Sequence, residues 1–396
     1  MTEATHVTRT ANAAAKSAKS AKAAKSDFSF GIEEEYHLVR LETDELADAP
    51  EAFIDACTDA MGDQVSTEFL KSQIEIGTRP HSSFSEARLE LAALRTSIAT
   101  VAREHGLAPV AAGTHPLSRR KGLSPTNSAR YAELADALGG AVRRLVVCGM
   151  HVHVGLADDD LRIDIMNQAR YFVPHLMVLA TSSPFWEREA TGLKSFRSVI
   201  LDGLPRTGLP NRFDGFTDYT RTVQVLTAAG VIEDASKIWW DLRPSSKYPT
   251  LELRALDVCT DIDDAIAIAA TFTCLCRMLH RLRAQNLSWR TYPVFLINEN
   301  RWRAQRYGVE GSLVDFGRNA LVPYSDLLSE ILDLIAEDAD ALGCTAEVAH
   351  TRTIVARGTS ADQQTRAYDE MVAAGQSSDA ALRAVGAHLR TATIAT

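Results

Sequence analysis

The stretch from residue 30 to residue 39 carries three consecutive carboxylates inside an apolar run. If this stretch forms a strand, its side chains alternate between two faces, so Glu33 and Glu35 project together and Glu34 points the other way. Two carboxylates held side by side repel each other unless a positive charge lies between them. A divalent cation such as Mg²⁺ takes oxygen ligands and often shares them with a substrate phosphate. A charged strand at the edge of a sheet would show the same pattern, so the interpretation depends on matching ligands elsewhere in the chain.

A second pair of acids lies between residues 66 and 77. The alternation of apolar and polar residues predicts a strand over residues 73–77, with Glu75 on its polar face. Glu68 precedes Glu75 by seven residues. This odd separation places the two acids on opposite faces of one unbroken strand. Both can therefore serve one site only if a bulge or a turn intervenes near residues 70–72.

Two histidines share one face of a strand predicted over residues 145–155. His151 and His153 are two positions apart, and the apolar residues that alternate with them face the opposite side. Histidine is a common metal ligand, but two ordinary core or surface histidines would give the same pattern.

A predicted hairpin, with strands over residues 238–243 and 250–257, holds a charged pair in its second strand. Glu252 and Arg254 lie on one face of that strand. A carboxylate for a metal and a guanidinium for a phosphate would fit a metal–nucleotide site, and an exposed ion pair would fit equally well.

The four strands come from separate parts of the chain. Chance accounts for any one of them, whereas four together predict a shared polar face lined by acids. A sheet with this face toward a cleft would hold two or more Mg²⁺ ions, which would neutralise the phosphates of a bound nucleotide.

One predicted loop lies where it could reach a ligand. A short strand predicted over residues 110–115 ends at a Gly-Thr-His-Pro sequence, residues 113–116. Thr114 is a candidate substrate contact there, whereas a lone histidine before a proline, as His115 is, is more often an ordinary turn residue.

A second candidate loop is the Gly- and Pro-rich segment from residue 197 to residue 214, which carries Arg197, Arg206 and Arg212. It could close over an anionic substrate as a lid, or it could be a solvated surface loop. The long apolar helix predicted before it, over residues 161–182, should kink at Pro174.

Composition and charge are those of a globular protein. The chain has 396 residues, 46% of them hydrophobic and 23% charged, and a net charge of -9. The negative charge argues against nucleic-acid binding, because that function needs a basic surface. The six cysteines are scattered, which predicts reduced thiols and neither a disulfide framework nor a zinc site. Since no stretch has the pattern of a secretory signal or a membrane span, we expect a cytoplasmic protein.

The first 26 residues differ in composition from the rest. They are basic, low in complexity and poor in large apolar side chains, so we expect a disordered tail over residues 1–26. Residues 27–396 are expected to form a single domain with a helical C-terminal part.

Four motifs, in this order along the chain, resemble the signature segments of a known enzyme family. They are Gly-Ile-Glu-Glu-Glu-Tyr at residues 31–36, Gln-Ile-Glu at 73–75, Gly-Met-His-Val-His at 149–153 and Leu-Glu-Leu-Arg at 251–254. The family is the type 2 glutamate–cysteine ligases, carboxylate–amine ligases of the glutamine-synthetase-like superfamily. The resemblance implies an α+β fold, a glutamine-synthetase-like catalytic domain over residues 27–396. In that fold a curved, mainly antiparallel sheet lines the active-site cleft, with helices packed on its outer face.

The resemblance also implies two metal sites. Three carboxylates would form the first: Glu35, Glu68 and Glu75. Two carboxylates and one imidazole would form the second: Glu33, His151 and Glu252. The implied cofactors are ATP and two or more Mg²⁺ ions.

Further residues would contact the substrates in such a site. Arg254 would contact the transferred phosphate and act in catalysis. His153 and Arg243 would lie, with Arg254, near the nucleotide or the acyl phosphate. Arg197 and the loop after it would close over the amino-acid substrate.

The implied reaction joins a carboxylate to an amine. ATP phosphorylates the carboxylate, and the amine then attacks the acyl phosphate to form an amide. Glutamate is the expected carboxylate and cysteine the default amine, although the motifs do not encode the acceptor pocket. Two alternatives stay open: a guanidino kinase-like phosphotransferase and a non-catalytic nucleotide-binding relative. The expected partners are small molecules, without nucleic acid or membrane, and a homodimer is an open option.

Overall fold

The computed structural model describes residues 28–119 and 122–395. The predicted basic tail, residues 1–26, lies outside the described residues. The strands are β1 (Phe30–Arg40), β2 (Val65–Thr67), β3 (Gln73–Gly77), β4 (Leu107–Val110), β5 (Gly149–Gly155), β6 (Phe185–Trp186), β7 (Glu189–Ala190), β8 (Thr207–Gly208), β9 (Trp239–Trp240), β10 (Leu242–Pro244), β11 (Thr250–Asp257), β12 (Ser312–Asp315) and β13 (Ala320–Pro323). The α-helices are α1 (Glu51–Met61), α2 (Phe84–Glu104), α3 (Ala129–Leu138), α4 (Asp159–Ala169), α5 (Val173–Leu179), α6 (Phe196–Asp202), α7 (Phe216–Ala228), α8 (Ile262–Ala284), α9 (Val294–Tyr307), α10 (Tyr324–Ala341), α11 (Thr345–Arg357), α12 (Ser360–Ala373) and α13 (Ser378–Thr393).

The main sheet is built around β1. Its strand order is β10-β11-β5-β1-β3-β2, with β4 paired to the C-terminal part of β1. Every neighbouring pair in this sheet is antiparallel. Helices α4, α5 and α8 pack against its strands, and α2 packs against α8 and β4. The α+β prediction, with a mainly antiparallel sheet and packed helices, is therefore confirmed.

The residues of β1 alternate between the two faces of the sheet, as a strand requires. Ile32, Glu34 and Tyr36 are buried, whereas Glu33 and Glu35 keep partial exposure on the other face. The predicted division of the three acids holds, with Glu34 on the core side.

Glu34 is held in the core by Arg95 of α2. The Arg95 Nε and Nη2 atoms donate to the two carboxylate oxygens at 2.9 and 2.7 Å. The same guanidinium donates to the carbonyls of Cys259 and Thr260 at 2.8 and 2.7 Å. Because buried charges are tolerated only when they are paired and hydrogen-bonded, this network stabilises the junction of β1, α2 and the segment after β11.

Two predicted elements around the loops differ from the structure. The strand predicted over residues 110–115 is wrong, because the chain pairs with the end of β1 at Leu107–Val110 and then leaves the sheet. The segment over residues 197–214 is not one long loop, since it begins inside α6 and passes through β8. Arg197 is therefore held on a helix.

The long helix predicted over residues 161–182 is two helices, α4 and α5, joined by a 3₁₀ turn at Arg170–Phe172. Pro174 is the second residue of α5 and does not kink a continuous helix. The first turn of a helix tolerates proline, because the backbone N–H groups there have no partner within the helix.

The described part of the chain contains no helix with the length and apolarity needed to cross a membrane. All six cysteines are buried and free of disulfide bonds, as predicted.

The contribution of the Arg95–Glu34 pair to the stability of the fold can be tested. Arg95→Leu leaves the Glu34 carboxylate buried without its partner, so the free energy of unfolding should fall by about 3–5 kcal/mol. Urea titration followed by circular dichroism measures it. The matched control is Arg88→Leu on the same helix, whose ion pair with Asp263 is partly exposed and should contribute less than about 1 kcal/mol. Equal losses in the two variants would contradict this account of the core.

Candidate active site

The strand register gathers the predicted acids and imidazoles on one face of the main sheet. Glu33 of β1 is paired with His151 of β5, and Glu35 is paired with Glu75 of β3. On the far side of β5, Glu252 of β11 is paired with His153. Side chains opposite each other in adjacent strands lie about 4.5–5.5 Å apart at their Cβ atoms, so the pairing alone brings these groups together.

The ligand atoms form three overlapping groups, and within each group they lie within 4.8 Å of one another. The members are Glu35, Glu68 and Glu75 in the first group, Glu33, Glu75 and His151 in the second, and Glu33, His153 and Glu252 in the third. Each group has a size and donor set that could hold one cation.

Glu68 joins this cluster because the chain turns after β2. β2 and β3 form an antiparallel pair, and Glu68 lies in the connection between them. The turn that the odd spacing required is therefore present. The Glu68 carboxylate accepts a hydrogen bond from the N–H of Phe69 at 3.2 Å.

The second predicted metal set is divided in the structure. Glu33 lies close to both histidines, at 3.1 Å from His151 Nδ1 and 3.4 Å from His153 Nε2. Glu252 is grouped with His153, not with His151 as predicted, because His153 is its cross-strand partner. His153 therefore stands among the candidate ligands, a role that the sequence interpretation gave only to His151.

The cluster has more negative charge than its own cations balance. Burial raises the pKa of Glu75, and the charges of Glu68, Glu33 and Glu35 raise it further. Ser66 opposes this by donating to the Glu75 carboxylate at 2.7 Å. A bound divalent cation would remove the repulsion, and an oxygen-rich donor set suits a hard cation such as Mg²⁺.

The pKa of Glu33 is shifted in the opposite direction to that of Glu75. Burial raises the pKa of its carboxyl group, but hydrogen bonds and positive charge from His151 and His153 outweigh burial and lower it. The carboxylate is therefore kept ionised at the point where two of the three groups meet.

The other end of the cluster is cationic. Glu252 accepts a hydrogen bond from Arg243 Nε at 3.0 Å and a second, shorter one from Arg254. Arg254 Nη1 also lies 3.5 Å from His151 Nδ1. The two guanidinium groups and the acids therefore line one continuous surface, suited to an anion that is shared with a metal.

Two cavities meet at this cluster. The first has a volume of about 540 Å³ and is lined by Glu35, Glu68, Arg197 and Arg254 among others. The second has a volume of about 740 Å³ and is lined by Glu33 and by the loop between β10 and β11. Glu75 borders both cavities. A site with this shape can hold two ligands that meet at the acids.

The residues of the two predicted loops lie at different distances from the acid cluster. Arg197 reaches the first cavity from α6. Thr114 is buried, donates its hydroxyl to the carbonyl of Phe185 at 2.6 Å and does not line either cavity. Arg206 lies over the ring of Trp239, and Arg212 is exposed. Of the three basic residues, the structure brings only Arg197 toward the acids.

The sequence interpretation missed two residues that line the second cavity and one acid close to Arg197. Lys247 and Tyr248 line the second cavity, and nothing in a short hairpin loop distinguished them. Asp257 lies on the same face of β11 as Glu252, although its odd separation from Glu252 predicts the opposite face. The register between Leu253 and Leu256 is shifted by a bulge, a feature that alternation alone cannot reveal.

Comparison with known proteins gives the family. A family model described as glutamate-cysteine ligase family 2 matches residues 29–387. The chain belongs to this family.

Relatives within glutamate–cysteine ligase family 2 are similar over nearly their whole length. A protein of Rhodospirillum rubrum, named "Putative glutamate--cysteine ligase 2", is 54% identical over 373 residues, 93% of this chain and 96% of its own. A protein of the same name from a Jannaschia species is 51% identical over 362 residues, 91% of this chain and 96% of its own.

Solved structures share the fold. A glutamate–cysteine ligase from Francisella tularensis, in complex with AMP, matches 94% of this chain and 90% of its own with a TM-score of 0.69 at 13% identity. A bifunctional glutathione synthetase from Pasteurella multocida matches 93% of this chain and 52% of its own with a TM-score of 0.66 at 15% identity. At these identities the likeness concerns the fold alone.

The crowding of acids around Glu75 can be tested by metal binding. Glu75→Gln should raise the melting temperature of the metal-free protein, most strongly at high pH, because it removes a carboxyl group whose ionisation is opposed by burial and by the neighbouring acids. The same variant should bind Mn²⁺ at least about tenfold more weakly, since even the loss of a partner behind a ligand costs 10–100-fold. Scanning calorimetry and electron paramagnetic resonance measure the two effects.

The matched control for this test is Glu86→Gln, the same change at an exposed position in the first turn of α2. It should alter neither quantity. Unchanged Mn²⁺ affinity in Glu75→Gln would remove Glu75 from the metal site.

Proposed function

We propose that this protein is an ATP-dependent carboxylate–amine ligase that joins glutamate, as the acid, to an amine such as cysteine. The observation that carries the proposal is the acid and imidazole cluster at the meeting point of two cavities, in a chain that belongs to glutamate–cysteine ligase family 2. Phosphoryl transfer from a nucleotide to a carboxylate needs this arrangement, with two substrates meeting at bound cations.

The second cavity would take the nucleotide, with its phosphates at the cluster. Tyr248 offers an aromatic face there, and its ring lies 6.0 Å from that of His153. Lys247 lies over the Tyr248 ring and adds positive charge at the entrance. The Francisella tularensis structure holds AMP, which supports a nucleotide as a ligand of this fold.

Mg²⁺ fits the cluster because most of the candidate ligand atoms there are carboxylate oxygens. The residues that would hold it are Glu35, Glu68 and Glu75 in the first group, Glu33, Glu75 and His151 in the second, and Glu33, His153 and Glu252 in the third. Bound there, it supplies positive charge that stabilises the phosphate oxygens during transfer.

Three arginine side chains would have separate roles in substrate binding and phosphate transfer. Arg254, fixed by Glu252 and close to His151, would hold the transferred phosphate. Arg243 Nε donates to the other oxygen of Glu252 at 3.0 Å, so the carboxylate and both guanidinium groups keep their positions. Arg197 would bind the acid substrate in the first cavity.

The proposed reaction has two steps. A carboxylate oxygen of the acid attacks the terminal phosphorus of ATP, ADP leaves, and an acyl phosphate forms. The amine nitrogen then attacks the carbonyl carbon, phosphate leaves with the bridging oxygen, and the nitrogen loses a proton. Closure of the cavity around the acyl phosphate would keep water from hydrolysing it.

The two alternatives have less support. A guanidino kinase needs no ligase acceptor pocket and fewer carboxylates on strands, and the chain belongs to another family. A non-catalytic relative would have no physical reason to keep three acids crowded around Glu75, because that repulsion destabilises the fold.

The reaction class can be tested by ADP release with Mg-ATP and a panel of amino acids. ADP release should require both a dicarboxylic amino acid and an amine, and mass spectrometry should detect the amide. ADP release with a guanidino compound alone would favour the kinase, and no ADP release with any acid–amine pair would contradict the proposal.

Arg254 provides a test of the transferred-phosphate contact. Arg254→Lys keeps one positive charge but loses the planar fork that reaches both Glu252 and the phosphate, so kcat should fall about 10²-fold. Steady-state kinetics with the natural pair of substrates measures it. Arg277→Lys is the matched control, since Arg277 pairs with the buried Asp338 and does not line either cavity. A kcat within twofold of the wild type in Arg254→Lys would remove Arg254 from the chemistry.

A further inference from the structure

Arg197 carries a buried guanidinium whose donors are largely unused. Its side chain is 4% exposed and faces the first cavity. Within residues 28–119 and 122–395, Nε and Nη1 have no hydrogen-bond partner, and Nη2 reaches only the carbonyl of Arg254 at 3.5 Å. A buried guanidinium in this state is prepared for a ligand, because unpaired buried donors otherwise cost free energy.

The charge that compensates Arg197 comes from Asp257, at the end of β11. Asp257 Oδ1 lies 4.0 Å from Arg197 Nη1, close enough for attraction but too far for a hydrogen bond. The Asp257 oxygens are instead occupied by the N–H of Ser182 at 3.0 Å and the hydroxyls of Ser183 and Ser195 at 2.6 and 2.9 Å. The pair is therefore balanced in charge while the guanidinium donors stay available.

The bulge in β11 is what brings Asp257 to this position. Leu253 and Leu256 both pair with core-facing residues of β5, so the chain gains one residue between them. As a result Asp257 is paired with Gly149, on the face that carries His151 and His153. An unbroken strand would have turned Asp257 into the core.

Gly149 provides the space for the guanidinium. A Cβ atom at this position would lie 2.1 Å from Arg197 Nη2 and 2.7 Å from Cζ, so any side chain here would displace it. The N–H of Gly149 also donates to the Glu35 carboxylate at 2.5 Å. Gly149 thus sets the distance between the guanidinium and the acid cluster.

We propose that Asp257 is a positioning residue that holds Arg197 for the second, non-reacting carboxylate of a dicarboxylic acid substrate. This inference rests on the proposed function and extends it, because it explains why the enzyme would require an acid with two carboxylates. One carboxylate lies at the acid cluster for phosphorylation, and the other binds the guanidinium of Arg197.

Calorimetric titration of the full-length protein tests the inference, with Mg²⁺ and a non-hydrolysable ATP analogue present. The probes are L-glutamate and 4-aminobutyrate, which lacks the α-carboxylate. The wild type should bind L-glutamate at least about tenfold more tightly than 4-aminobutyrate, as expected for a charge-assisted hydrogen bond. Arg197→Met, Asp257→Asn and Gly149→Ala should each lower the L-glutamate affinity about tenfold and remove most of this preference, with the affinity for the ATP analogue unchanged.

The matched control is Asp338→Asn, the same change at a buried acid paired with Arg277 and Arg281 away from both cavities. It should lower the melting temperature and leave the preference for L-glutamate intact. Gly149→Ala keeps every hydrogen bond of Asp257, so it tests the position of Arg197 even if Asp257→Asn does not fold.

Three results would overturn the inference: a wild type that does not bind L-glutamate, an unchanged preference in Asp257→Asn and Gly149→Ala, or equal losses for L-glutamate and the ATP analogue.

The proposed function is tested separately, by ADP release. A wild type that binds L-glutamate as stated but forms no amide would contradict the ligase reaction and leave the role of Asp257 standing. A wild type that forms an amide while the variants keep the preference would contradict the role of Asp257 alone.

Discussion

Mutual repulsion among four carboxylates is the constraint on which the rest of this structure depends. Glu33, Glu35 and Glu75 lie on adjacent antiparallel strands, and Glu68 approaches them from a turn. Burial and neighbouring charge raise the pKa of Glu75, so the free protein holds this arrangement against an electrostatic cost. Such strain is characteristic of sites that are completed by a ligand, since a cation converts the repulsion into attraction.

Two acids next to this cluster are each paired with arginine. Glu34, one residue away on the opposite face, is neutralised by Arg95 deep in the core. Glu252 is paired with Arg243 and Arg254 at the rim of the cluster. The contrast indicates that excess negative charge at the cluster is a property of the site, because the acid on the other face of β1, Glu34, is neutralised by an arginine.

Much of the site could be predicted from the sequence because strand geometry is periodic. Alternation placed Glu33 with Glu35 and His151 with His153, and the structure keeps both pairs on one face. The odd spacing of Glu68 and Glu75 indicated a turn, and the connection between β2 and β3 provides it.

The remainder of the site depends on features that have no periodic signal. The bulge in β11 reverses the face of Asp257, and cross-strand register, not spacing, joins His153 to Glu252. Arg197 was expected in a loop, but it is the second residue of α6, which fixes the direction of its side chain. The second cavity is lined by segments that are distant in sequence, so no single stretch of the sequence could predict it.

Anomalous diffraction from crystals grown with Mn²⁺ and a non-hydrolysable ATP analogue shows whether cations bind among these carboxylates. One anomalous peak should lie among the carboxylates of Glu35, Glu68 and Glu75 and a second beside Glu33, with nucleotide phosphates bound to both ions. Crystals that contain bound nucleotide but no anomalous peak at these carboxylates would contradict this prediction.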